Sequence, residues 1–182
     1  MERDEEKQII EQVLAGNTEA FEQLVLKNQA QVYNLALRMV GSEQDALDIS
    51  QEAFIRAFRS LESFRGDSKF SVWLYRLTSN ICLDFLRARR RKKTVSISYF
   101  VSDEDDAADL EIPDERFSPQ TELERAELRA ALNRALQRLP DEQREVLLLR
   151  EISGLSYDEI AAALSLEAGT VKSRIFRARR KL

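Results

Sequence analysis

Leu155-Ser156-Tyr157-Asp158-Glu159-Ile160-Ala161, then Leu164, then Gly169-Thr170-Val171-Lys172-Ser173-Arg174 and a basic run to Lys181, form the stretch that decides the architecture. Ser156 and Glu159 stand three apart, the spacing of a capping box, and predict a helix start. Ile160, Ala161 and Leu164 are its expected inner face, with the small Ala161 permitting a close crossing. Gly169-Thr170 is expected to turn the chain into a second helix. There Val171, Ile175 and Ala178 fall four and three apart, a narrow apolar stripe. Lys172, Arg174, Arg177, Arg179, Arg180 and Lys181 put six positive charges on the rest of the helix, and between Thr170 and Lys181 no acid offsets them. This is the pattern of a helix-turn-helix whose second helix meets a phosphate backbone. Arginine grips a guanine edge with two bonds, so Arg174 is the first choice for base reading. Thr170, Lys172, Ser173 and Arg177 join it at the groove and its flanking phosphates.

The rest of the chain is acidic on balance, with 28 Lys and Arg against 32 Asp and Glu and a net charge of -4. A uniform nucleic-acid coat is excluded, whereas local basic faces are not, because a binding module uses a few clustered cations. The sequence holds no histidine and the single Cys82. Disulfide frameworks, ordinary zinc ligand sets and His-based triads are therefore excluded, no cofactor or metal is expected, and enzyme readings lose their residues. Cys82, between Ile81 and Leu83, reads as a packed structural thiol. The acidic opening Glu2 to Glu6 does not resemble a signal peptide, and no apolar run is long enough to span a bilayer, so a cytoplasmic protein is expected.

Helical periodicity runs almost unbroken from residue 1 to about 93 and predicts four helices around one core. Ile9, Ile10, Val13 and Leu14 mark the first helix, stopped at Gly16-Asn17, with Asn17 or Thr18 as a cap for the next. The second carries Phe21, Leu24, Val25, Tyr33, Leu35, Leu37 and Val40 and ends at Gly41. Ser42 with Asp45 opens the third, on which Ala46, Ile49, Ala53, Phe54, Ala57, Phe58 and Leu61 recur at helical spacing. After a turn at Phe64-Arg65-Gly66-Asp67-Ser68 the fourth runs from Phe70 to about Lys93.

That fourth helix ends in Arg87, Arg89, Arg90, Arg91, Lys92 and Lys93, a second basic cluster, with Trp73, Tyr75, Asn80 and Asp84 upstream. Rings beside cations suit unstacked, single-stranded nucleic acid. Trp73 has a second reading as core beside Phe70, Leu74 and Leu77. Asn80 in mid-helix lowers helix propensity and is easier to understand facing solvent or a base. From Val101 to Pro119 eight acids face the single base Arg116, which predicts a flexible acidic linker over 94-120. Beyond it, at 121-182, four short helices follow: one with Leu123, Leu128, Leu132, Leu136 and Leu139, one after Pro140-Asp141 with Val146, Leu147 and Leu149, and the helix-turn-helix pair. An all-α protein of two four-helix domains is expected.

Three motifs in this order resemble the extracytoplasmic-function sigma factors of the sigma-70 family: Asp45 through Phe58; Phe64-Arg65-Gly66-Asp67 with Phe70, Trp73-Leu74-Tyr75-Arg76 and Asn80; and Gly154 through Ala161 with Gly169 through Arg174. The likeness covers nearly the whole chain. It implies a region 2 domain at 1-93 that docks on core RNA polymerase through the face of Asp48, Gln51, Glu52 and Arg56. It implies that the same domain captures the melted downstream (-10) promoter element through Trp73, Asn80, Asp84, Arg87 and Arg90. It implies a region 4 domain that reads the upstream (-35) element through the last helix and rests on the polymerase flap. It also implies an anti-sigma factor, commonly membrane-bound, that masks the polymerase-binding surfaces, and no small-molecule substrate. Two other readings remain open at this point: a stand-alone helix-turn-helix regulator of palindromic duplex, and a protein-interaction adaptor without salt-sensitive DNA binding.

Overall fold

The computed structural model describes residues 3-96 and 119-182, and the described residues are helical with short connections. The acidic linker expected at 94-120 lies almost entirely outside them. Four helices come first: α1 (Arg3–Leu14), α2 (Phe21–Val40), α3 (Glu43–Arg59) and α4 (Phe70–Ser96). Four follow: α5 (Pro119–Gln137), α6 (Asp141–Glu151), α7 (Tyr157–Leu164) and α8 (Ala168–Arg179).

In the first domain α2, α3 and α4 pack on one another, with α1 laid against α2. Leu24, Val32, Leu35, Ala36 and Met39 of α2, Ala46, Ala53 and Ala57 of α3, and Phe70, Leu74 and Cys82 of α4 lose all contact with solvent. The three alanines of α3 recur at intervals of seven and four, which lets α3 approach its neighbours closely. Three of the polar side chains caught inside bond back to their own helix: Asn28 donates to the Leu24 carbonyl at 2.8 Å, Ser50 to Ala46 at 2.6 Å and Thr78 to Leu74 at 2.9 Å. Each therefore goes under cover without an orphaned donor. Cys82 is fully buried, and burial pushes its thiol up to about 12, as befits a packing residue.

Helix ends follow the expected chemistry, with additions from the tertiary structure. Ser42 caps α3 by accepting from the Asp45 amide at 3.4 Å. Gly41 ends α2 in the left-handed region at φ 78°, a conformation that costs glycine little. Asn17 precedes a short 3-10 turn over Thr18–Ala20, with no side-chain cap bond from it. The N-terminus of α4 is served by Glu6 of α1, a buried carboxylate that accepts from the Phe70 amide at 3.1 Å. An acid in an exposed-looking acidic segment is thus the partner of a distant helix end.

In the second domain α6 is the axle. Six consecutive residues, Arg144 to Leu149, are buried, and six in a row sweep around a helix rather than along one side. Helix α6 packs on α7 and α8 and also on α2 and α4 of the first domain. The leucine stripe expected on α5 is corrected: Leu123 lies outside the residues whose side chains are described, Leu128 is 71% and Leu132 44% exposed, and of the described leucines of the stripe Leu136 and Leu139 reach the core. The capping box is present in both halves, Glu159 N to Ser156 Oγ at 3.2 Å and Ser156 N to Glu159 Oε2 at 2.8 Å. The turn of the helix pair is corrected as well. Ser165, at φ 53°, takes the left-handed position, while Gly169 lies inside the first turn of α8. Ile160 is fully buried and the small buried residue of α7 is Ala163, with Ala161 partly exposed.

Candidate nucleic-acid and polymerase interfaces

The apolar stripe of α8 is buried as the spacing predicts, Val171 and Ala178 completely and Ile175 nearly so. This orients the helix and leaves its polar side outward. Lys172 and Arg177 are exposed, and Thr170 and Ser173 are partly so, with the Ser173 hydroxyl donating to the Thr170 carbonyl at 2.9 Å. Arg174 differs: its guanidinium meets Glu142 Oε2 of α6 at 2.7 Å and its side chain is 23% exposed. Farther along, Arg179 pairs with Glu151 at 2.5 Å, and Arg180 lies 5.9 Å from the exposed Phe176 ring. In the sequence no acid stands within this helix, but the fold brings two from α6.

On α4, Asn80 is exposed and Asp84 forms an exposed pair with Arg87 at 2.9 Å. Arg90 donates to both Asp141 carboxylate oxygens at 2.6 Å, a contact between the two domains. Trp73 is partly buried and tilted against Phe64 and Phe70, with ring centroids 5.3 and 5.6 Å away. It is part of an aromatic cluster that ties the Phe64 turn to the start of α4. On α3, Asp48, Gln51 and Arg56 are exposed and Glu52 is partly so; Glu52 accepts from Arg56 Nε at 2.6 Å. They stand on the side of α3 away from Ile49, Ala53 and Ala57, beside the exposed Leu47 and Ile55.

The unforeseen feature is how closely the α4 and α8 residues face one another. Arg76, Asn80 and Arg87 of α4, Arg174 of α8, and Glu142 and Glu145 of α6 line one cavity of about 320 Å³. Glu145 is buried there, and burial pushes its carboxyl up to about 7. The Ser79 hydroxyl is near enough to favour the charged form, as are Arg174 and Arg87, while Glu142 opposes it. Neither the Ser79 hydroxyl nor Glu145 Oε1 finds a hydrogen-bond partner among the described residues. The reading of a helix after Pro140-Asp141 with Val146, Leu147 and Leu149 did not single out Glu142, Arg144 and Glu145. The signal was there: four apolar residues in a row, Val146 to Leu149, need cover on every side of the helix.

Among the described residues no helix is long and apolar enough to cross a membrane, and no group of three His, Cys, Asp or Glu side chains is placed to hold a metal ion. Comparison with known proteins identifies the architecture. Residues 24–92 match the model of Sigma-70 region 2, and residues 129–182 match that of Sigma-70, region 4. The RNA polymerase sigma-H factor of Pseudomonas aeruginosa is 40% identical over 182 aligned residues, covering 97% of this chain and 91% of the relative. The chain is an extracytoplasmic-function sigma factor of the sigma-70 family. The ECF RNA polymerase sigma-E factor of Escherichia coli K12 is 41% identical to this sigma factor over 171 residues, covering 94% of this chain and 88% of the relative. Two solved structures are similar to this sigma factor over most of its length. One is CnrH in complex with the cytosolic domain of CnrY, at TM-score 0.68 and 28% identity, covering 97% of this chain and 93% of that one. The other is RpoE of Bartonella quintana with the anti-sigma factor NepR, at TM-score 0.68 and 25% identity, covering 88% and 92%. As a sigma factor, the protein directs RNA polymerase to promoters, and sigma factors in general are not enzymes.

Proposed function

We propose that this sigma factor divides its work among three surfaces. Residues 1-93, as region 2, dock on core RNA polymerase through Asp48, Gln51, Glu52 and Arg56. The same unit holds the melted -10 element through Asn80, Asp84, Arg87 and Arg90, with Trp73 bracing the helix start. Residues 121-182, as region 4, read the -35 element through Thr170, Lys172, Ser173, Arg174 and Arg177, and residues 94-120 link the two. The observation that carries this reading is the outward polar face of α8, set by the burial of Val171, Ile175 and Ala178. A recognition helix is oriented by such a stripe, and its cations then fall on groove and phosphates. The protein acts in the cytoplasm, without catalytic residues or cofactor. Its solved relatives were captured with CnrY and with NepR, which supports an anti-sigma factor as a further partner here.

The test is transcription by purified core RNA polymerase from a promoter library, with and without the protein, and polymerase pull-down from the same mixture. New start sites sharing two upstream elements are expected. Binding to polymerase without new starts would sink the promoter reading.

A further inference from the structure

Helix α4 carries the residues proposed for the melted -10 element, so whatever fixes its first turn bears on them. A helix start leaves its first amides without partners inside the helix. Here the chain supplies little locally: Phe70-Ser71-Val72-Trp73 contains no acid, and the Ser68 hydroxyl is turned to donate to the Lys69 carbonyl at 3.2 Å. The Phe70 amide goes instead to Glu6 Oε2 at 3.1 Å, across 64 residues of sequence. A carboxylate at a helix N-terminus both accepts a bond and answers the positive end of the helix dipole.

Glu6 is 7% exposed. A carboxylate taken out of water is unfavourable unless it is bonded, and its bond is to the start of α4. The side chains around that bond belong to the aromatic cluster at the helix start. Phe70, fully buried, stands edge-on to Phe64 at 5.9 Å and to Phe21 at 6.3 Å, and Trp73 leans on both Phe64 and Phe70. Glu6 also reaches Tyr75, whose phenol is held above its ordinary value by burial and then by the Glu6 charge. A crevice of about 470 Å³, lined by Glu6 with Asp4, Ile10, Phe64, Arg65 and Ser68, opens between α1 and the turn. The turn is not packed flush on α1, and the bond supplies a fixed point between them. Asn80 lies ten residues beyond Phe70, about 15 Å along the same helix. With Arg76 and Arg87 it falls at spacings of four and seven on one side of α4. Movement of the first turn is carried along a continuous helix to that side.

We infer that Glu6 is a positioning residue for promoter opening: its bond to the Phe70 amide fixes the first turn of α4, and through it Trp73 and Asn80, for the melted -10 element. The acidic α1 thereby acts on the opening step through α4. The inference rests on the proposed role of α4.

The test is open-complex formation by the full chain with core RNA polymerase, at saturating protein, on a promoter chosen from the library. A fluorescent adenine analogue in the -10 element reports unstacking by a rise in emission. Glu6→Ala should slow that rise about fivefold, the worth of a helix cap, with polymerase pull-down and upstream-duplex binding within about twofold of the parent. Glu6→Gln keeps an acceptor for the Phe70 amide in the same shape and should recover most of the rate. A merely stabilising contact would not separate the opening rate from the other two readings. Amide exchange at Phe70, faster in Glu6→Ala than in the parent, reads the bond itself whatever the promoter does. Opening at the parent's rate in Glu6→Ala would overturn the inference, as would equal losses in all three assays or a Gln variant no faster than the Ala one. Absence of any emission rise with the parent, while amide exchange responds as expected, would overturn the downstream-element reading of α4 on which the inference stands.

Discussion

Gln137 fills the space that a side chain at Gly41 would need: a Cβ built on Gly41 stands 3.0 Å from both Cδ and Nε2 of Gln137. The glycine is doubly determined, by its φ of 78° at the end of α2 and by the amide of another domain pressed against it. Gly41→Ala should lower stability by about 1–3 kcal/mol, through left-handed strain and loss of the Gln137 seat. A thermal melt checks this, and a melting temperature equal to the parent's would show that neither constraint holds in solution.

Glu145 makes the seam sensitive to pH. Because burial pushes its carboxyl up to about 7, the folded protein binds this proton more tightly than the unfolded chain. Between the ordinary carboxylate value and about 7 the folded state holds the extra proton, so stability falls as pH rises. The contribution is complete at low pH and gone above about 7, where a charged group sits buried beside Ser79, Glu142, Arg87 and Arg174. Glu145→Gln should therefore stabilise the protein at about pH 8, by on the order of 3 kcal/mol at most, and progressively less toward about pH 5. Melts of both proteins across that range should converge at the acid end; parallel curves would contradict a titrating Glu145.

The capping box sets the start of α7 and hence the angle at which α8 is presented. Ser156→Ala should cost about 1 kcal/mol and weaken upstream-element binding less than loss of a groove residue does. The Glu159 carboxyl is held below its ordinary value by the Ser156 amide and hydroxyl. Its share of the cap is therefore present above the ordinary carboxylate value and lost as pH falls through the depressed one. Backbone amide exchange at α7, compared between Ser156→Ala and parent, reads the effect directly.

Three surface substitutions separate the proposed roles. Arg174→Ala should relax base preference in the upstream element by about 1–3 kcal/mol and leave polymerase pull-down intact, whereas Lys172→Ala should weaken binding evenly and reduce the salt slope by about 1. Glu52→Ala should do the reverse, weakening pull-down with duplex binding unchanged. Equal losses in every assay from all three would mean unfolding and would remove the division of labour.

The core of α8 gives a stability control. Ile175→Ala, at a nearly closed position between α8 and α6, should cost about 2–5 kcal/mol. Loss of DNA binding there should track the melting curve, unlike the loss in Arg174→Ala.

The sequence by itself determined whatever depends on near neighbours in the chain. Spacing alone placed Val171, Ile175 and Ala178 inward, Ser156 and Glu159 at a helix start, and Gly41 at a helix end, because periodicity and capping act over a few residues. The exposed faces of α3 and α4 were legible for the same reason, as was the family. The tertiary structure alone decided what lies opposite what. It put Glu6 on the Phe70 amide, exposed Leu128 and Leu132 of a promising leucine stripe, and moved the turn to Ser165. It also brought Asp141 against Arg90, and Arg144 against the end of α2, in a domain about fifty to one hundred residues away in the chain. Charge and hydrogen bonding act through space over a few ångströms, and a one-dimensional pattern does not record which distant segments the folded core brings within that reach.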